Sequence, residues 1–243
     1  MKNLLWSVED MSKRNDGRAP EELRKIEAKT GIIKRADGSA MFRIGETIAY
    51  AAVYGPRELH PKFLQNPEKG LLRCNYNMMA FSGSGERVRP SPNRRSREIS
   101  MVIEKALEPV LDLTAYPNAV IDIFIELIQT DAGTRCAGIC AAAMALADAG
   151  IPMKDLISAL SVGYLRNEIM IDINGEEDMN EGATDIAFAC LPSTGEVTLL
   201  QIDGEIKKDI LLKALEKAKE AAKKIAEVQR RALKERYHDK NDA

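Results

Sequence analysis

The alternation of apolar and polar positions divides the chain into two strand-rich stretches, each followed by a helix. Short runs of alternating or continuously apolar residues between turn residues are typical of β-strands. In the first stretch such runs occupy residues 47–53, 71–79 and 119–127. In the second stretch they occupy residues 158–164, 168–173, 186–191 and 196–201.

Three further segments have helical patterns. Apolar residues between Ile99 and Leu111 follow helical spacing, and Pro109 predicts that this helix ends or kinks near Glu108. The run of small residues from Cys136 to Ala149 predicts a second helix. The segment from Lys207 to about Tyr237 is amphipathic, and we predict that its apolar stripe packs on the core rather than on a membrane surface.

This order of elements predicts an α+β fold of two similar halves, with helices packed on mixed sheets and a long C-terminal helix. The two halves meet near residue 150. Residues 1–30 are polar and predict an N-terminal arm or short helix outside the core, and residues 31–243 form a single domain.

Charge is distributed unevenly along the chain. The net charge is only −2, but residues 57–97 carry nine basic and three acidic residues, a local charge of +6. Residues 172–185 carry six acidic residues and no basic one, a local charge of −6. A basic belt suits a polyanion, and an acidic cluster suits a divalent cation. The alternative is that both are solvated loop surfaces.

The composition excludes several classes of protein. The four cysteines form no CxxC pair, so neither a zinc site nor a disulfide framework is expected, and we predict a cytoplasmic protein. No signal peptide and no apolar run of the ~18 residues that a membrane span needs are present. With two histidines in polar surroundings and no P-loop, a histidine triad or a P-loop nucleotidase is not expected.

A phosphate site is predicted where the strand at 119–127 turns into the helix that starts near Cys136. Gly133 allows close approach to the backbone, Thr134 offers a hydroxyl and Arg135 a guanidinium, next to the free N–H groups of a helix start. The alternative is an ordinary strand–helix turn with a cap and a surface arginine.

Arginines and acids elsewhere complete a candidate catalytic site. Arg94 and Arg95 stand at a second helix start. The helix dipole disfavours basic side chains there, so their presence indicates a bound anion. The alternative is that both arginines form surface ion pairs. Asp178 and Asp185 flank Gly182 on strand ends or a hairpin, where they could hold Mg²⁺ or protonate a leaving oxygen. A solvated acidic loop is the competing interpretation. Because phosphate is a nucleophile that needs no general base, the combination indicates phosphorolysis of RNA.

In this order, the motifs of the chain resemble those of the RNase PH family over roughly residues 15–237. The segments that carry the resemblance are Asn15-Asp16-Gly17-Arg18, Arg35-Ala36-Asp37-Gly38-Ser39-Ala40, Arg94-Arg95-Ser96-Arg97-Glu98-Ile99, Asp131-Ala132-Gly133-Thr134-Arg135, residues 145–153, Glu177-Asp178-Met179 and Thr184-Asp185. Within the family the likeness is greatest to the catalytic subunits of archaeal exosomes.

The resemblance implies an RNase PH-like fold of two pseudo-symmetric βαβα-like halves and 3′→5′ phosphorolysis of single-stranded RNA to nucleoside 5′-diphosphates, with RNA tailing as the reverse reaction. It implies phosphate binding by Gly133, Thr134, Arg135 and Arg95, and catalysis and Mg²⁺ or Mn²⁺ binding by Asp178 and Asp185. RNA contacts are implied for Arg94, Arg95, Arg73 and Arg97. Asn75 stands where a relative can carry a second RNA-binding arginine.

The resemblance also implies partners. These are an inactive RNase PH-like subunit, which forms a hexameric ring of three heterodimers with the catalytic one, and cap proteins that bind RNA. Three alternatives stay open from sequence: a bacterial-type homohexamer that trims tRNA 3′ ends, a non-catalytic RNA-binding ring subunit, and a small-molecule kinase of related fold. Retention of Arg135, Asp178 and Asp185 argues against the non-catalytic subunit, and the poor Gly/Ser loop at residues 81–85 argues against the kinase.

Overall fold

The first half of the chain forms a five-stranded mixed sheet. In the computed structural model, which describes residues 14–85, 87–89 and 92–239, its strands lie in the order β1-β2-β3-β5-β4. They are β1 (Ile26–Thr30), β2 (Gly38–Ile44), β3 (Thr47–Glu58), β4 (Leu71–Met78) and β5 (Ala119–Gln129). Only the β4–β5 pair is parallel. Helix α1 (Arg94–Leu107) supplies the crossover that such a parallel pair needs.

The second half forms a four-stranded sheet in which every pairing is antiparallel. Its strands lie in the order β7-β6-β8-β9. They are β6 (Ser158–Leu165), β7 (Glu168–Ile171), β8 (Thr184–Cys190) and β9 (Val197–Asp203). The short helix α3 (Gly175–Asp178) lies in the connection between β7 and β8. The sequence predicted mixed sheets, and only the first one is mixed.

Helix α2 (Thr134–Asp148) follows β5 and packs between the two sheets. Its residues from Cys136 to Leu146 are small or aliphatic and all buried, which allows both sheets to approach the helix closely. The C-terminal helix α4 (Lys208–Asp239) buries Ala214, Ala218, Ala222 and Ile225 in the same core. The predicted core-facing stripe of this helix is therefore confirmed. Across the described ranges, no helix combines the length and the apolar character needed to cross a membrane.

The predicted strands and the three predicted helices are all present, with ends shifted by a few residues. Among the strands and α-helices of the described residues, three were missed. Strand β1 includes residues 26–30, which the sequence assigned to the arm, and β2 and α3 were not predicted at all. The placement of Asp178 on a strand end or hairpin is wrong, because it is the last residue of α3. Residues 1–13 of the predicted arm lie outside the described residues.

Candidate active site

The turn between β5 and α2 is a left-handed corner at the start of a helix. Ala132 and Gly133 have φ angles of 51° and 61°. Gly133 is the N-cap of α2 and contributes no capping side chain. The first N–H groups of the helix are therefore available to donate hydrogen bonds to a bound anion. A Cβ at Gly133 would be strained by this φ and would lie 3.4 Å from the Ser161 hydroxyl.

Hydrogen bonds from Thr47, at the start of β3, and from Arg24, which precedes β1, hold this corner. The Thr47 hydroxyl accepts from the Asp131 N–H at 2.9 Å and donates to the Ala132 carbonyl at 2.7 Å. Arg24 Nη1 donates to the Asp131 carbonyl at 2.5 Å. A positive φ costs little at Gly133 but is unfavourable at Ala132, so these contacts help to keep the corner in place.

Two arginines lie beside this helix start. Arg135 is half-buried in the first turn of α2, next to the buried Thr134. Arg95 lies in the first turn of α1, a turn without acidic residues that begins with a capping box between Asn93 and Ser96. The charges of Arg95 and Arg135 both act on Asp178 and Asp185. The structure thus brings together the two helix starts and the two acids that the sequence placed in one site.

Burial raises the pKa of both carboxyl groups. For Asp185 the pKa rises to about 6, first because of burial and then because of the negative charge of Asp178, with Arg135 opposing the shift. One carboxylate oxygen of Asp185, Oδ1, is buried without a hydrogen-bond partner within the described chain. Asp178 is less buried, and its pKa is raised by burial and by the charge of Asp203. Asp185 is therefore suited to hold a proton near neutral pH.

Two neighbours of this site were not predicted from the sequence. Asp203 faces Asp185 across the β8–β9 pair and ends β9, two residues beyond the predicted strand. Tyr76 on β4 is buried, which raises its pKa, while the Thr134 hydroxyl and the charges of Arg95 and Arg135 oppose that shift. A hairpin register extended by two residues would have placed Asp203 beside Asp185, but no local signal connects Tyr76 with α2.

The other predicted RNA-binding arginines lie outside this cluster. Arg94 and Arg97 are exposed on α1, three residues apart and thus on one face of the helix. Arg97 lines a cavity of about 420 Å³ between α1 and β4. Arg73 on β4 forms a bidentate ion pair with Asp122, with distances of 2.6 and 3.0 Å, and this hydrogen bonding raises its pKa. An RNA phosphate at Arg73 would have to share it with Asp122.

The acids also fit a divalent cation of the magnesium type. No group of three or more His, Cys, Asp or Glu is arranged to hold a metal in the part of the chain that the structure describes. Mg²⁺, however, commonly binds one or two carboxylates and takes its other ligands from water and substrate phosphates. Asp178 and the unpartnered oxygen of Asp185 are such donors.

Comparison with known proteins identifies the class to which this fold and site belong. The model of the 3′ exoribonuclease family, RNase PH, matches the chain with its domain 1 over residues 22–152 and its domain 2 over residues 155–221. The chain therefore belongs to the RNase PH family. The predicted resemblance, the RNase PH-like fold and a phosphate-dependent 3′→5′ exoribonuclease activity are thereby confirmed.

Individual relatives show which members of the family the chain is similar to. Exosome complex component Rrp41 of Thermococcus kodakarensis is 52% identical over 233 residues, which cover 96% of this chain and 93% of the relative. The protein of the same name from Methanopyrus kandleri is 48% identical over 92% of this chain and 93% of its own length. The crystal structure of rice Rrp46 superposes with a TM-score of 0.80 at 26% identity, covering 90% of this chain and all of that one.

Proposed function

We propose that this chain is the catalytic subunit of an archaeal-type exosome, which shortens single-stranded RNA from its 3′ end with inorganic phosphate. The observation that supports this role most directly is the convergence of Arg95, Arg135, Asp178 and Asp185 at the start of α2. The identity of about 50% to archaeal proteins named Rrp41 supports the assignment to an exosome.

In this proposal, phosphate binds at the start of α2. The N–H groups after Gly133, the Thr134 hydroxyl and the Arg135 guanidinium hold its oxygens, and Arg95 approaches from α1. An oxygen of this phosphate attacks the phosphorus of the last phosphodiester, and the bond from that phosphorus to the 3′ oxygen of the preceding nucleotide breaks. The terminal nucleotide leaves as a nucleoside 5′-diphosphate. The reverse reaction adds nucleotides to an RNA end.

We assign Asp185 as the group that protonates the departing 3′ oxygen. Its carboxyl is half-buried, has a buried oxygen without a hydrogen-bond partner and has a pKa of about 6, so a minor fraction is protonated near neutral pH. The arginines facing Asp185 stabilise the negative charge that develops on the phosphate oxygens in the transition state.

Mg²⁺ or Mn²⁺ would be held chiefly by Asp178, with Asp185 as the second carboxylate when it is ionised and with phosphate oxygens as further ligands. When bound, the cation would neutralise charge on the transferred phosphoryl group.

The proposed RNA contacts extend from the site along α1. Arg94 and Arg97 present two exposed guanidiniums on one face of this helix, close in sequence to Arg95. Arg73 contributes more weakly because Asp122 already accepts hydrogen bonds from Nε and Nη2, along one edge of its guanidinium. Single-stranded RNA would thus be held by its phosphates, with little dependence on base sequence.

We further propose a ring partner that is an inactive RNase PH-like subunit, alternating with this chain in three heterodimers, with RNA-binding cap proteins on one face. The likeness to Rrp46, another chain of this fold, supports a ring of such subunits. So do the exposed apolar residues Leu200 and Ile202 on β9, a strand at the edge of its sheet. All four cysteines are free and buried, which supports a reducing, cytoplasmic location.

The test uses uniformly labelled single-stranded RNA and the chain with and without an inactive RNase PH-like subunit, in Mg²⁺, with and without phosphate. Phosphate-dependent shortening with nucleoside diphosphate products supports the proposal, and a need for the partner selects the exosome. Full activity of the isolated chain as a homohexamer would instead favour a bacterial-type RNase PH. Nucleoside monophosphates formed without phosphate would contradict the mechanism.

A further inference from the structure

Asp131, one residue before the left-handed corner, joins the two halves of the site. Its Oδ1 accepts from the Gly175 N–H, the first residue of α3, at 2.8 Å. A Cβ at Gly175 would lie only 2.7 Å from this oxygen, so any side chain there would displace the Asp131 carboxylate. The corner that leads into α2 and the helix that ends at Asp178 are therefore connected through one carboxylate.

Arg24 reinforces this connection from the N-terminal segment. On one side its Nη1 contacts Asp131 Oδ2 at 3.2 Å, in addition to the carbonyl contact described above. On the other side its Nη2 and Nε donate to Asp172 at 2.7 and 3.0 Å. Burial opposes the charge of this arginine, but the two carboxylates raise its pKa. Arg24 thus remains charged while it bridges the segments on either side of the site.

A second buried arginine holds the other end of α3. Arg14 forms a two-pronged pair with Glu177, with distances of 2.7 and 2.5 Å, and also donates to the carbonyls of Ile171 and Asp172. Although burial opposes the charge of Glu177, the hydrogen bonds from Arg14 lower its pKa. Glu177 immediately precedes Asp178, so this pair fixes the backbone that carries the catalytic carboxyl.

Helix α3 cannot fix the position of Asp178 by itself. It has four residues, and isolated helices of that length are not stable in water. Its position therefore depends on contacts with its surroundings. The main buried or half-buried ones are the Asn174–Glu177 capping box, the Gly175–Asp131 bond and the Arg14–Glu177 pair. Of these contacts, only the bond to Asp131 connects the helix directly to the proposed phosphate-binding corner.

We propose that Asp131 and Arg24 are positioning residues that set the distance between the phosphate bound at α2 and the carboxyl of Asp178. This inference rests on the proposed roles of Arg135 and Asp178. Neither Asp131 nor Arg24 reacts with substrate. Their carboxylate and guanidinium instead keep the nucleophile from the first half of the chain in line with the acids from the second half.

The competing explanation is that the network only stabilises the fold. Asp148 provides a control, because it is a buried carboxylate at the C-terminal end of α2, whereas Asp131 lies just before the start of that helix. It pairs with Arg236 and accepts from the Ser39 N–H, away from the site. Asp148→Asn is expected to lower thermal stability while leaving the Michaelis constant for phosphate unchanged.

The experiment compares Asp131→Ala, Asp131→Asn and Asp148→Asn in the assembled enzyme, with kcat, the Michaelis constants for phosphate and RNA, and the melting temperature measured for each. Because misplacement by about 1 Å costs on the order of 100-fold, Asp131→Ala is expected to lower kcat by about 10- to 100-fold. It should also raise the Michaelis constant for phosphate, and leave that for RNA nearly unchanged. Asp131→Asn keeps an oxygen for the Gly175 N–H and should recover part of the loss.

Equal behaviour of Asp131→Ala and Asp148→Asn, with lower stability and unchanged phosphate dependence, would overturn the positioning role. Arg135→Ala separates this failure from a failure of the proposed function. If Arg135→Ala raises the Michaelis constant for phosphate and Asp131→Ala does not, the phosphate site stands and the positioning inference falls. If neither variant changes it, the proposed phosphate site itself is wrong.

Discussion

At the residue scale, the two acids of the site differ in their surroundings although they face the same arginines. Asp185 is enclosed between β6 and β9, and its pKa of about 6 reflects that enclosure first and the charge of Asp178 second. Asp178 lies at the open end of a short helix. An ionised Asp185 is thus costly to the fold, as expected for a group that is retained for chemistry rather than for stability.

Asp185→Asn is expected to stabilise the metal-free protein at alkaline pH. A carboxyl whose pKa is raised on folding contributes stability that is present below its unfolded pKa of 3.8 and is lost as pH rises through about 6. The amide avoids this loss. In urea unfolding with a chelator, the free energy of unfolding of the variant should therefore exceed that of the parent chain by roughly 2–3 kcal/mol at about pH 8 and by about 1 kcal/mol at about pH 4.5. Glu216→Gln, an exposed position on α4, controls for the lost charge. An increase in stability that does not change with pH would contradict the raised pKa of Asp185.

Arg135→Ala is expected to raise the Michaelis constant for phosphate by about 10- to 100-fold, since a charge-assisted hydrogen bond contributes about 1.5–3 kcal/mol. Steady-state kinetics with varied phosphate at saturating RNA measure this constant. Arg231→Ala, which removes an exposed arginine from α4, should leave it unchanged. An unaltered phosphate dependence in Arg135→Ala would remove this residue from the site.

Sequence patterns indicated the residues that we propose to bear chemistry but not those that we propose to position them. Gly133, Thr134 and Arg135 are contiguous at a strand–helix junction, where a local pattern is sufficient. Arg24 and Asp131 lie 107 residues apart, and although Asp131 belongs to the segment 131–135, no local pattern pairs it with Arg24, so their ion pair becomes visible only when the chain is folded. Tyr76 escaped prediction for the same reason.

At the element scale, the fold depends on how closely β2 approaches α2. A Cβ at Gly38, the first residue of β2, would lie 2.3 Å from both the Ala145 carbonyl oxygen and the Ala149 nitrogen, which are backbone atoms of the helix end. The approach of this strand to the helix is therefore set by the absence of a side chain.

Gly38→Ala is accordingly expected to destabilise the protein by about 1–3 kcal/mol, because the strand and the helix must separate to admit a methyl group. Urea unfolding measures the loss. Gly85→Ala is the matched control, since a Cβ there meets nothing within 4 Å. Comparable stability of the two variants would show that the β2–α2 contact is looser than described.

Element prediction succeeded where a segment carries its own periodicity and failed where pairing defines the element. Strand β1 has the sequence Ile26-Glu27-Ala28-Lys29-Thr30, which resembles an exposed arm until β2 pairs with it. Strand β2 begins with three small residues that give no clear alternation. Helix α3 is shorter than two helical turns, so no period could reveal it.

At the scale of the whole molecule, the exposed apolar residues of β9 bear on the proposed assembly. Leu200 and Ile202 are 44% and 39% exposed, on a strand with one unpaired edge. Such an edge favours association unless another chain covers it. The predicted two-half architecture, the order of most elements and the family were available from sequence, but this surface was not, because its strand has the pattern of an ordinary half-buried one.

The double variant Leu200→Lys, Ile202→Lys is expected to prevent ring formation while the isolated chain still folds. Light scattering after mixing with the partner subunit measures assembly, and circular dichroism confirms folding. Met179→Lys, at a methionine outside β9 that is 77% exposed, controls for added charge. Normal ring formation by the double variant would place the subunit interface elsewhere.

The burial of α2 on every side has a consequence for the order in which the molecule opens. Its amides from Gly138 to Leu146 are enclosed by both sheets, so they should exchange with deuterium only when the whole protein unfolds. The N–H groups proposed to bind phosphate lie at the start of this same helix, whereas α3 and its Asp178 belong to a short connection. Partial opening would therefore release the acid first and leave an anion site that is intact but catalytically silent.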